Sequence, residues 1–129
     1  MDASRFEKGL ELLKRIDGEA GQNVIDSLQD ISPDLAKYTI EYPFGDIYAR
    51  KGLDLKSREI ATVAALTALG NCMPQLKVHL NAALNVGCNE EEIKEVIIQM
   101  SGYAGFPAAL NGMFAFKEVL VERTANYNS

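Results

Sequence analysis

Two residues of this sequence could carry proton chemistry together: His79, its only histidine, and Glu59. His79 lies three residues after Leu76 and four before Ala83, which puts it on the apolar face of a helix. An imidazole titrates near neutral pH, so it can serve as a general acid or base. The plainer reading is a hydrogen-bonded histidine in a core or an interface. Glu59 stands four residues before Val63 and seven before Leu66, again on an apolar face, at the start of a stretch that carries no charge. Burial there disfavours the ionised carboxylate unless a partner compensates, the setting that proton-transfer sites exploit. Glu59 could equally be a first-turn residue answering the helix dipole. Cys72, seven residues before His79, is either a reactive thiol or a small buried apolar side chain. Cys88, beside Gly87, looks incidental. One histidine without a carboxylate cluster does not assemble the usual zinc set, so no metal is expected.

Helices must position these groups. Ser4 to Ile16 spaces Phe6, Leu10, Leu13 and Ile16 as one apolar stripe, and Gly18 to Asp30 does so with Val24, Ile25 and Leu28. Ser32 and Pro33 open a third helix carrying Leu35, Tyr38, Ile40 and Tyr42, which Pro43 and Gly45 should break. Ile60 to Gly70 contains no charged residue, and a helix apolar all round is a buried one. After Pro74 a fifth helix runs to Val86, with Gly87 ending it. Asn89 and Glu92 form a capping-box pattern for a sixth, which carries Ile93, Val96, Ile97 and Met100. Gly102 to Pro107 is a break, and a last helix runs from Ala108 to about Arg123 before a polar tail. If the Ile60 and Pro74 helices form a hairpin turning near Asn71, His79 falls opposite Val63. Glu59 is then one helical turn away, roughly 6 Å along the axis.

The 129 residues fit one all-α domain of six to seven helices: N-terminal helices over 4–50, a central region over 53–112 and a C-terminal helix over 108–123. With 18 acidic against 13 basic residues, a net charge of −5 and no basic cluster, nucleic acid is a poor partner. No segment reaches the ~18 uncharged residues that cross a bilayer, and Met1 to Arg15 lacks the apolar core of a signal peptide. Two distant cysteines make no disulfide scaffold. A cytoplasmic protein without a membrane partner is the expectation.

The run from Leu53 to Gly87 resembles the carboxymuconolactone decarboxylase family, as does Glu91 to Gly112 and the upstream stretch from Pro43 to Leu55. The most specific pieces are His79 before Leu80, then Ala83, Gly87, and the turn Tyr103-Ala104-Gly105-Phe106-Pro107. The resemblance implies an all-α fold whose protomers interlock as dimers and assemble into a homohexamer. It also implies chemistry on a small-molecule substrate: cofactor-free decarboxylation of a carboxylated lactone, with His79 and Glu59 catalytic and Tyr103, Gly105, Phe106 and Pro107 lining the pocket. Related alkyl hydroperoxidase D-like proteins instead place a Cys-x-x-Cys pair before the histidine. Glu59, Cys72 and His79 match that pattern, but Gln75 stands where the second cysteine belongs. A dithiol cycle needs a resolving thiol. Decarboxylase, peroxiredoxin-type thiol enzyme and inactive oligomeric relative are the three readings the sequence leaves.

Overall fold

The computed structural model describes residues 3–128, and among them every regular element is helical. In chain order these are α1 (Arg5–Asp17), α2 (Ala20–Leu28), α3 (Pro33–Ile40), a π-helical segment (Glu41–Tyr48), α4 (Leu55–Leu69), α5 (Met73–Asn85), α6 (Glu90–Ala104) and α7 (Phe106–Asn128). The chain divides into two compact units, Met1–Leu55 and Lys56–Ser129, at the start of α4.

In the first unit, Ser4 and Ser32 cap α1 and α3 by accepting the Glu7 and Leu35 amides. The helix expected to break at Pro43 and Gly45 instead runs on through them as a π-helix. Proline has no N–H for the ordinary i→i−4 bond and its ring crowds the preceding turn, so the wider turn absorbs it. The buried stripe is therefore Ala36, Ile40, Phe44 and Tyr48. Of the apolar residues read from the sequence for this helix only Ile40 is buried, and Leu35, Tyr38 and Tyr42 face outward.

The second unit buries Val63, Leu76, Leu80, Ile93, Ile97, Phe116 and Val119 as one core. The charge-free stretch of α4 from Ile60 onward is not buried all round: Glu59, Val63 and Thr67 are the helix's only buried residues, and Leu69 is exposed. Its outer positions are largely alanines and partly buried residues, so low polarity here does not mean full enclosure. The α6–α7 break is confined to Gly105, at φ +91°. α7 runs past Arg123 to Asn128, so the tail read as polar and frayed is helical up to that point, and Ser129 lies outside the described residues.

The capping box at α6 forms as its sequence requires. Asn89 Oδ1 accepts the Glu92 amide at 2.8 Å, and Glu92 Oε1 accepts the Asn89 amide at 2.9 Å. That backbone donor, helped by the Lys56 ammonium, holds the Glu92 carboxyl below its ordinary range. A carboxyl lowered in this way stabilises the fold above its unfolded-state pKa, and the benefit is lost as pH falls through the folded one. Asn89→Ala should cost about 1 kcal/mol in urea unfolding near neutral pH. A change indistinguishable from zero would remove the cap from the account of α6.

Candidate active site

Glu59 belongs to the second turn of α4 and shares its buried face with Val63 and Thr67 at i+4 and i+8. Gly70, at φ +79°, ends the helix where a side chain would be strained. The chain turns through Asn71 and Cys72, and Pro74 enters the first turn of α5, where its missing N–H costs nothing. α5 then turns Leu76, Leu80 and Ala83 inward, with His79 beside them.

The hairpin brings the two residues together more closely than their spacing predicted. His79 Nδ1 lies 2.8 Å from Glu59 Oε1, so the imidazole reaches Glu59 directly. The glutamate side chain is wholly buried, while the histidine side chain keeps 18% of its surface exposed. At 2.8 Å one proton must sit between the two atoms. With Glu59 ionised, a carboxylate only accepts, so Nδ1–H is the donor and the tautomer is fixed. Nε2, on the ring edge away from Glu59, then becomes the atom that can take up or deliver a proton. Glu59 Oε2 has no hydrogen-bond partner among the described residues.

Cys72 is at the turn between these helices, half-buried and unpaired by any disulfide. Its thiol donates to the Leu66 carbonyl at 3.4 Å, which ties the sulfur to the end of α4. Cys88 is buried in the core among apolar side chains. The Tyr103–Pro107 turn stands apart from the expectation of a pocket wall: Tyr103 is 83% and Phe106 72% exposed. Gly105 closes α6, and Pro107 lies in the first turn of α7. Among the described residues no group of three or more His, Cys, Asp or Glu side chains is gathered to hold a metal ion. No helix among them is long and apolar enough to cross a membrane.

Two groups escaped sequence reasoning. Thr67, buried below the pair on α4, packs against Gly112 of α7, where a Cβ would come within 2.8 Å of the threonine methyl. Arg123 is held by two asparagines of α5. Neither residue belongs to a motif, and only tertiary packing brings each to its partner.

Among the described residues the chain is all-helical, and it sets a buried carboxylate against a partly exposed imidazole. Residues 33–118 match the carboxymuconolactone decarboxylase family, and the chain belongs to that family. It is 34% identical to a 4-carboxymuconolactone decarboxylase of Acinetobacter baylyi over 119 residues, covering 92% of this chain and 88% of the relative. It is 33% identical over 97 residues to an uncharacterised 15.0 kDa protein of Paracoccus denitrificans, covering 74% and 72% of the two chains. A nitrosuccinic acid decarboxylase of Metarhizium robertsii is 24% identical over 116 residues, covering 89% and 80%.

Proposed function

We propose that the protein is a cofactor-free decarboxylase of a small carboxylated substrate, with 4-carboxymuconolactone the first compound to try. The observation that carries this reading is the 2.8 Å contact between buried Glu59 and partly accessible His79. Loss of carbon dioxide breaks a C–C bond heterolytically, and the electron pair passes into the adjacent unsaturated system as an enolate. The chemical need is a proton for a carbon of that enolate. His79 as imidazolium supplies it from Nε2, and Glu59 holds the ring in place and balances its charge. The unpartnered Oε2 supports the same reading. A buried acceptor without a protein donor costs about 1–3 kcal/mol where nothing else pairs with it. Two relatives named as decarboxylases, acting on different acids, support the reaction class. Release of carbon dioxide from 4-carboxymuconolactone, followed with purified protein, tests the reading directly. Turnover that vanishes in a His79 variant is expected, and no release from this or related lactone acids sinks it.

The family match spans both compact units, which supports one domain over 1–129. The working form in this reading is a homo-oligomer. α7 turns Phe106, Leu110, Phe114 and Val121 outward along one side, and such a face stays soluble only when covered. A second copy placed there would also enclose the exposed aromatics Tyr103 and Phe106. Light scattering should give a multiple of 14.1 kDa at micromolar concentration, with a hexamer as the expected mass. A monomer would leave the outward face unexplained.

Cys72 takes no part in this chemistry. Its thiol is engaged with a backbone carbonyl and Gln75 stands in place of a resolving cysteine. Cys72→Ser should retain the fold and full decarboxylation. Wild-type protein should show no sustained peroxide turnover with dithiol reductants. Robust peroxide reduction lost in Cys72→Ser would transfer the protein to the thiol-enzyme class.

A further inference from the structure

On the opposite side of α5 from His79, the second unit has an open cavity of about 580 Å³ between α5, the start of α6 and the end of α7. That volume lies within the range of small-molecule sites. Asn81, two residues after His79, points the other way round the helix, so this cavity and the Glu59–His79 pair share a helix but not a face. Arg123 of α7 lines the cavity, and its placement is set by its neighbours. Nη1 donates to Asn81 Oδ1 at 3.1 Å and to Asn85 Oδ1 at 3.2 Å, while Asn81 Nδ2 is itself fixed on the Lys77 carbonyl at 3.1 Å.

Both partners of the guanidinium are neutral amides. Among the described residues Arg123 makes no ion pair, and the nearby acids of α7, Glu118 and Glu122, are both engaged by Lys77. A guanidinium has five donors arranged as a planar fork, and Nη1 accounts for two of them. Nε and Nη2 form the edge that receives a carboxylate through two parallel bonds. Leu84 and Leu120 supply an apolar wall beside it, and Glu90, loosely paired with Lys94 at 3.9 Å, brings a negative charge to the same cavity.

We propose that this cavity is a binding site for a small monocarboxylate with an apolar body, its carboxylate seated on the Nε–Nη2 edge of Arg123. The leucine wall takes the hydrocarbon part. Glu90 selects against ligands carrying a second negative charge, which separates this site from one that takes a dicarboxylate or phosphate. It is distinct from the site of the proposed reaction and does not depend on the decarboxylase reading.

Titration of the full-length protein with valerate, followed by NMR on the Asn81 and Asn85 side-chain amides and the Arg123 Nε–H, tests the site. Saturable shifts with a dissociation constant on the order of millimolar are expected. Arg123→Gln should weaken binding about tenfold or more, as loss of a charged hydrogen-bonding partner does. Arg123→Lys keeps the charge without the fork and should fall between the two. Glutarate should bind less tightly than valerate, with Glu90→Gln narrowing that gap. The proposal is overturned if valerate gives no saturable shift in the wild-type protein, or if a folded Arg123→Gln binds it as well as wild type. If Arg123 served only to bridge α5 and α7, its loss would lower the unfolding temperature while the wild-type titration stayed flat, and that pattern also overturns the site.

Discussion

His79→Gln is expected to lower decarboxylation by about 10²–10⁴-fold, the range that a positioned general acid contributes. Glutamine has no proton to exchange near neutral pH, yet its amide can still donate to the Glu59 oxygen that lies 2.8 Å from Nδ1 in the wild-type protein. The fold and the oligomer should therefore survive. Glu59→Gln should also reduce turnover strongly, by a different route. The amide oxygen can still accept from Nδ1–H, so the ring stays in place, but the charge that stabilises the imidazolium is gone. Because Glu59 acts only through His79, the double variant should lose little more than the worse single variant, as groups working as a unit do. Steady-state rates for the four proteins, with circular dichroism and light scattering on each, decide the matter. Two variants of full activity would discard the dyad. Two variants that fail only because they no longer assemble would make the pair structural, as a buried ion pair with one partner removed can be.

How far this was legible in the sequence depends on the kind of signal each residue leaves. Caps are local, so Ser32 and Asn89 announced their helices, and the structure places both as caps, with Ser4 capping α1 besides. A hairpin across a three-residue turn is nearly local, and the Glu59–His79 juxtaposition could be read from spacing to within one turn. The finer offset is set by the path from Gly70 to Pro74, and no periodicity encodes it. Pro43 misled for the opposite reason. Its local preference was read correctly, but a π turn satisfied it without ending the helix. The Tyr103–Pro107 turn was placed in a pocket on the strength of family resemblance, whereas its side chains project outward from a single chain. Exposure is a property of what covers a surface, and one sequence does not say what that is. Arg123 was invisible altogether, since Asn81 and Asn85 lie about 40 residues earlier and only the crossing of α5 and α7 brings them together.

Close backbone approach leaves the faintest trace in a sequence and carries the largest expected effect on stability here. Gly9 of α1 packs against the π-helical segment, where a Cβ would run into the Ile40 carbonyl oxygen and come within 3.0 Å of the Gly45 nitrogen. Gly45 is its counterpart, since a Cβ there would meet the Arg5 carbonyl of α1. The two helices thus touch backbone to backbone, with each glycine making room for the other. Gly9→Ala improves the intrinsic helix propensity of α1 by just under about 1 kcal/mol. The obstacle is main chain and cannot swing aside as a side chain would, and overpacking of this kind costs about 1–3 kcal/mol or more. The clash should win, leaving a net loss of about 2 kcal/mol in urea unfolding. Amide protons of α1 and of residues 41–48 should exchange faster, and those of α6 and α7 should change less, because the contact belongs to the first unit. Gly52→Ala is the matched control: a Cβ there meets nothing within 4 Å, so the change should fall within about 0.5 kcal/mol of wild type or stabilise slightly. If Gly9→Ala proves as stable as Gly52→Ala, the helices are not in backbone contact and the packing of the first unit must be redrawn.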